Sequence, residues 1–190
     1  LVRERRAAAV TRLDRQGLGL GVTVLLVSGM LRLHGLGWDG FIGAHPDERY
    51  IVATAGSLSW PSRLDPFEVA PDYAYGHLPL YALTLLGGLG GEGDLLPPAR
   101  VLSALLDLGT VALVGALGRR LYGRETGVLA MALVGLAPLH VQQAHFYTAD
   151  VWVTPLALAA LWGAVSLSEG GRRWAVLGCG VAMGLAIGSK

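Results

Sequence analysis

The chain is 190 residues long, 53% of them hydrophobic and only 15% charged, with a formal net charge of +1. Soluble domains carry about 25% charge; with a mean hydropathy of +0.50 and so small a net charge, a disordered chain, a coiled coil and a nucleic-acid-binding module are excluded. One cysteine, Cys179, excludes a disulfide framework and a cysteine-based zinc site, which leaves an integral membrane protein or one unusually apolar soluble domain.

A membrane helix needs about 20 mostly apolar residues to cross roughly 30 Å of hydrocarbon. In chain order, the predicted spans are about 18–37, 97–117, 121–141, 146–167 and 174–190. The first carries Arg32 and His34 near its end, and the second carries Asp107. The third is short, with an apolar core starting near Thr126, and reaches span length only if it begins near Leu121. An intramembrane acid such as Asp107 is costly and is expected to pair with an arginine of a neighbouring helix. Frequent Gly and Ala favour close helix packing. The expected fold is therefore all-α, a polytopic transmembrane helix bundle of about five spans. The chain starts at Leu1 and stops at Lys190 straight after an apolar run. That pattern is expected of a piece of a longer protein, so residues 1–190 are taken as one N-terminal part of a multi-span membrane domain.

Charge placement predicts the sidedness, because cytoplasmic loops are rich in Lys and Arg. Arg3, Arg5, Arg6, Arg12 and Arg15 precede the first span, Arg119, Arg120 and Arg124 follow the second, and Arg172 and Arg173 follow the fourth. All three groups share one side only if the apolar stretch 78–89 does not cross, so it is predicted to be interfacial or re-entrant. The N-terminus is then cytoplasmic. The loop 38–96 is extracytoplasmic, carrying short interfacial helices and eight acids (Asp39, Asp47, Glu48, Asp65, Glu68, Asp72, Glu92 and Asp94) against only Arg49 and Arg63. The five histidines, His34, His45, His77, His140 and His145, fall on this side as well. Long loops are usually functional, so the chemistry is expected here.

Three motifs stand out. In His45-Pro46-Asp47-Glu48-Arg49, Pro46 suits the first turn of a helix, and Ile51, Ala55 and Leu58 recur on one face, predicting a helix over about 46–59 that Pro61 stops. Asp47 and Glu48 have two readings: acids that favour a helix dipole, or a general base held at the membrane surface. Asp150, in His145-Phe146-Tyr147-Thr148-Ala149-Asp150, opens the fourth span. It is either an interfacial cap beside an aromatic belt or an acid facing a wet cavity. Tyr73-Ala74-Tyr75-Gly76-His77-Leu78-Pro79-Leu80-Tyr81 is either an ordinary interfacial belt or a surface for a lipid headgroup or sugar, with Tyr75 and His77 as candidate contacts. His45, His140 and His145 lack tight metal-ligand spacing, so no metal ligand is assigned and hydrogen-bonding roles are expected.

In this order, the motifs resemble the polytopic glycosyltransferases that use polyprenyl-phosphate sugars, the C-type fold. They look most like bacterial members similar to the dolichyl-phosphate-mannose–protein mannosyltransferases and the aminoarabinose lipid A transferases. The resemblance rests on His45-Pro46-Asp47-Glu48 in the first outer loop, the segment Tyr75 to Tyr81, the second-span start Arg100 to Asp107, the inner turn Gly118-Arg119-Arg120-Leu121-Tyr122-Gly123, and Ala144 to Asp150. His77-Leu78-Pro79 departs from the double proline or lysine of many members.

The resemblance implies an enzyme that moves a hexosyl or pentosyl group from a polyprenyl-phosphate donor to a hydroxyl of a lipid, glycan or protein, with inversion. It implies Asp47 as the base, with Glu48 supporting it or binding acceptor and Asp150 shaping the cavity. It also implies Arg49 and His77 near the lipid phosphate, with Tyr75 and His145 as further substrate contacts. No cofactor is required by this chemistry, although related branches use a divalent metal. A transporter would place its coupling acids inside spans, and a non-catalytic scaffold would need no convergence of Asp47 and Asp150. These two stand as the rival readings.

Overall fold

The computed structural model describes residues 19–90, 93–171 and 173–190. The arginine group from Arg3 to Arg15, Glu92 and Arg172 lie outside the described residues. Among the described residues the regular elements are α-helices and one 3-10 turn at Pro66–Glu68, with no strand beyond an isolated bridge between Ser59 and Arg63. In chain order the helices are α1 (Gly19–Leu33), α2 (Pro46–Ser57), α3 (His77–Gly90), α4 (Leu96–Tyr122), α5 (Arg124–Gly135), α6 (Pro138–Gln143), α7 (Ala149–Ser168) and α8 (Arg173–Ile187). Helices α4 and α7 are long and apolar enough to cross a membrane, while α1, α8 and most of α3 are shorter apolar helices.

Helix α4 is the centre of the arrangement. It packs against α5 and α7, α7 packs against α8, and α2 packs against α3. The α4–α5 contact depends on Gly127, where a Cβ would overlap the backbone of Arg119. Small residues of this kind let membrane helices approach closely.

Two expected spans differ in the structure. The first ends at Leu33 rather than near Gly37, because Gly35 turns the backbone into the left-handed region at φ 74. The third, expected as one span over about 121–141, is divided. Gly123 ends α4 at φ 92 and begins α5, and Pro138 opens α6 after Ala137 has turned to an extended conformation. The twelve residues of α5 extend about 18 Å, short of the hydrocarbon thickness.

The break frees carbonyls at the end of α5, and a buried arginine of α1 satisfies them. Arg32 donates to Gly135 O at 2.8 Å and to Val134 O at 3.5 Å, and its Nε donates to Asp107 Oδ2 at 2.7 Å. His140 Nδ1 lies 2.9 Å from the other Asp107 oxygen. The arginine expected to pair with Asp107 is therefore Arg32 of α1.

The segment 38–96 holds the short helices α2 and α3, and α3 covers the stretch 78–89 in 14 residues. The apolar face expected on α2 is buried: Ile51, Ala55 and Leu58 form one core with Tyr73, Leu80 and Leu83, closed by Ala99 of α4 and by Tyr147. Burying side chains of this size contributes about 1.5–3 kcal/mol for each large one. It fixes α2 against the N-terminal end of α4.

Candidate functional site

The helical periodicity that buries Ile51 and Ala55 also decides the fates of the two neighbouring acids. Glu48 stands three residues before Ile51 and seven before Ala55, so it shares their inward face. Its relative exposure is 0%. Asp47, one position earlier, is turned about 100° away and is half-buried.

Glu48 is fully engaged. Arg100, itself fully buried, donates to both Glu48 oxygens, at 3.0 and 2.7 Å. The Tyr147 N–H donates to the same carboxylate at 2.9 Å. Arg100 also grips both oxygens of Asp39, at 2.6 and 2.8 Å, and donates to Leu36 O at 2.6 Å. The Arg100 guanidinium first, and the N–H groups of Ala44 and Phe41 in addition, outweigh burial and hold the Asp39 carboxyl far below the usual carboxylate range. The two N–H contacts also hold Phe41 in the left-handed region at φ 59. One cation thus ties the end of α1, the start of α2, α4 and the approach to α7 together. Tyr147 closes the frame by donating its hydroxyl to Pro79 O at 2.7 Å.

Asp47 projects from this frame toward Tyr75, whose phenol pKa is raised, chiefly by burial and then by the Asp47 carboxylate. Tyr75 belongs to a ring cluster. Tyr50 and Tyr73 stack at 5.8 Å, Tyr75 lies 6.0 Å from each, and His77 lies 5.9 Å from Tyr73 and 5.6 Å from Tyr81. Tyr50 donates its hydroxyl to Asp72 at 2.7 Å, and that carboxylate pushes its pKa up to about 12.

The residues after α8 reach this place too. Gly188 O accepts from Leu78 N–H at 3.0 Å, and a side chain at Gly76 would collide with the backbone of Ser189 and Lys190. Lys190 Nζ then sits 2.6 Å from Asp150 Oδ1 and within the electrostatic reach of Asp47. Both partners are open to solvent, at 65% and 60%. An exposed pair of this kind contributes only about 0–1 kcal/mol, so this ammonium is available to another anion at little cost.

The expected residues therefore fall into four groups. Asp47, Tyr75 and Asp150 converge, with Lys190 between the two acids and His77 in the adjoining ring cluster. Arg49 is exposed and lies over Gly43. Glu48 stands behind the site as part of its frame. His145 has both ring nitrogens against backbone carbonyls, Val141 O at 2.7 Å and His34 O at 2.9 Å. Sequence reasoning did not single out Arg100, Asp39 or Lys190. Arg100 had a usable signal: a cation just inside an apolar span marks an intramembrane pairing. Among the described residues no group of three or more His, Cys, Asp or Glu side chains is placed to hold a metal ion.

A family model described as dolichyl-phosphate-mannose-protein mannosyltransferase matches residues 78–190. The matched range contains Arg100, Asp150 and Lys190 and begins after Asp47 and Glu48. No curated protein and no solved structure matches the chain.

Proposed function

Because the chain belongs to the dolichyl-phosphate-mannose-protein mannosyltransferase family, we propose that it moves a sugar from a polyprenyl-phosphate donor to a hydroxyl acceptor, with Asp47 as the base. The observation that carries this reading is the contrast between the two adjacent acids. Glu48 is saturated by Arg100 and the Tyr147 N–H. Asp47 is on the same helical turn, beside Tyr75 and within electrostatic reach of Lys190, which pairs with Asp150. A base works best when its position is fixed by its surroundings and its carboxylate is not spent on a structural contact.

In this reading Asp47 takes the acceptor hydroxyl proton as the oxygen attacks the anomeric carbon from the face opposite the phosphate. The new C–O bond forms while the bond to the phosphate oxygen breaks. The electron pair leaves with the polyprenyl phosphate, and the anomeric configuration inverts. Lys190 and Arg49 supply positive charge where negative charge grows on the leaving phosphate, and His77 approaches the same phosphate. Asp150 orients Lys190, and the Tyr75 ring cluster gives sugar or prenyl groups a flat surface. Glu48, Arg100 and Asp39 position Asp47 without touching substrate.

The arginines at the far end of α4, Arg119 and Arg120, favour an extracytoplasmic site and a cytoplasmic N-terminus, within a bundle of about five spans. The transport reading gains nothing from Asp107, the acid deepest in a span, since Arg32 and His140 hold both of its oxygens.

The test is transfer of radiolabelled sugar from a polyprenyl phosphate by the full-length protein in bilayers. Loss of transfer in Asp47→Asn, with folding intact, is the expected result. Undiminished transfer in that variant overturns the assignment of the base.

A further inference from the structure

Beside the frame that fixes Asp47 lies a second cleft, of about 390 Å³, walled by His34, Gly35, Trp38, Gln142, His145 and Phe146. That volume falls within the roughly 300–1,000 Å³ of small-molecule sites. Two turns build it. Gly35, at φ 74, takes the chain off the end of α1, and its carbonyl accepts from the Trp38 N–H at 3.0 Å. After α6, the N–H groups of His145 and Phe146 donate to Gln142 O and Gln143 O, at 3.0 and 3.1 Å. His145 joins the two turns, with its ring nitrogens 2.7 Å from Val141 O and 2.9 Å from His34 O. Leu36, inside the first turn, accepts from Arg100 at 2.6 Å, so the cleft lies at the same end of α4 as Asp47.

The aromatic groups of the cleft are held in place. Trp38 and Phe146 meet edge to face, with centroids 5.9 Å apart and planes at 81°, and the Arg100 guanidinium carbon lies 5.8 Å from the Trp38 ring. Trp38 is nevertheless 55% exposed. Beside it stand two polar side chains with nothing to bind: His34 and Gln142 are exposed, and neither side chain makes a hydrogen bond among the described residues. No Asp, Glu, Lys or Arg is among the lining residues. An open indole face beside a free amide and a free imidazole is complementary to a neutral ligand with one apolar face and a polar edge. A sugar ring is such a ligand. A phosphate or carboxylate would find no cation here, and an aliphatic chain would leave the amide and the imidazole without partners.

Phe146 connects this cleft to the base. The His45 ring lies 4.7 Å from it, and His45 precedes by two residues the Asp47 that meets Tyr75. The start of α2 is thus flanked by the cleft, through His45, and by the tyrosine cluster, through Asp47. We infer that the cleft binds a neutral saccharide, with its C–H face on Trp38 and its hydroxyls on Gln142 and His34, and that this saccharide is the acceptor. The first part stands on the cleft alone; the second rests on the reading of Asp47 as the base. The acceptor hydroxyl then reaches Asp47 from the Phe146 side and the donor from the Tyr75 side, as attack opposite the leaving phosphate requires.

The test titrates the full-length protein in nanodiscs with three neutral disaccharides, mannobiose, maltose and cellobiose, by calorimetry. At least one is expected to bind. Trp38→Ala should weaken that binding by about 10-fold, the worth of one aromatic contact, and Gln142→Ala by about 5-fold, that of one hydrogen bond, while Trp38→Tyr keeps most of it. Transfer of radiolabelled sugar from a polyprenyl phosphate, read on the same samples, should show KM for that disaccharide rising by the same factors, with kcat and KM for the donor unchanged. A residue of an interfacial belt alone would move neither reading. Binding of none of the three, or binding that Trp38→Ala leaves unchanged, overturns the saccharide cleft. Binding without transfer, beside transfer to a threonine peptide, overturns the acceptor role and leaves Asp47 as the base. Binding with transfer to neither overturns the transferase reading and the acceptor role with it, and leaves the saccharide cleft standing. Monodispersity and melting temperature show that each variant is folded.

Discussion

Arg100 and Glu48 form a buried, two-pronged ion pair, 3.0 and 2.7 Å long, between the N-terminal end of α4 and the first turn of α2. Its consequence falls on the neighbouring residue. With Glu48 locked, the helix sets the direction of Asp47, whose carboxylate meets the Tyr75 hydroxyl. The adjacent acids are therefore expected to fail in different ways. Asp47→Asn should lower transfer by about 100- to 10,000-fold, the usual worth of a general base, and leave the melting temperature alone. Arg100→Met should remove about 3–5 kcal/mol of stability by stranding the buried Glu48, and Glu48→Ala should cost less because Asp39 still holds Arg100, with activity following the folded fraction in both. Melting in detergent and single-turnover transfer, measured on the same preparations, separate the two. A stable, inactive Glu48→Ala would assign the base role to the wrong acid.

Much of this was legible. Pro46, the spacing of Ile51, Ala55 and Leu58, and Pro61 define α2 to within two residues at its end. Extending the same face backward by three residues reaches Glu48, so the burial of one acid and the half-exposure of the other follow from helical periodicity. The divided third span was not read, although Pro138 and Gly123 are both visible, because mean hydropathy is blind to a break with apolar residues on either side. The roles of Arg100 and Lys190 were not legible, because each depends on partners 52 and 40 residues away in the chain.

The frame should withstand moderate acid. Asp39 has a folded-state pKa held below its ordinary 3.8 by Arg100. A lowered carboxylate pKa contributes stability that is present above the unfolded value and lost as pH falls through the folded one. The stability gap between the wild type and Asp39→Asn is therefore expected to stay flat from about pH 7 to about pH 5 and to narrow below about pH 4. Narrowing between pH 7 and pH 5 would contradict the Asp39–Arg100 assignment.

Tyr50 offers a spectroscopic check on the ring cluster. Its pKa is pushed up to about 12 by the Asp72 carboxylate. For a raised pKa the stabilisation is fully present below the unfolded value, 10.0 for tyrosine, and disappears as pH rises through the folded one. In ultraviolet titration the phenolate signal that Tyr50→Phe removes should appear near pH 12, and Asp72→Asn should move it down toward 10. A signal already at 10 in the wild type would mean the hydroxyl does not donate to Asp72.

The break between α5 and α6 makes a second buried pair testable. Arg32 serves Asp107 and the freed carbonyls of Val134 and Gly135 at once. Asp107→Leu should cost about 3–5 kcal/mol because Arg32 is left with an uncompensated charge, and Arg32→Met should cost a similar amount. The double variant is expected to be more stable than either single one, since an apolar pair of similar volume replaces a desolvated ionic one. Additive losses, measured by urea or thermal unfolding in micelles, would show that the two residues do not act on each other.

Lys190 gives the sharpest test of how donor is held. Its contact with Asp150 is short, 2.6 Å, yet both side chains are mostly exposed, so breaking it should leave the melting temperature unchanged within the small worth of a surface pair. A charged hydrogen bond to a lipid phosphate is worth about 1.5–3 kcal/mol, which corresponds to a loss in kcat/KM of roughly 10- to 100-fold for Lys190→Gln. Lys190→Arg should keep most of it, and Asp150→Asn should shift KM for the donor more than kcat, because Asp150 holds the ammonium rather than the sugar. If Lys190→Gln transfers sugar at the wild-type rate from subsaturating donor, the positive charge that meets the leaving phosphate comes from Arg49 instead, and the Lys190–Asp150 pair is a surface contact alone.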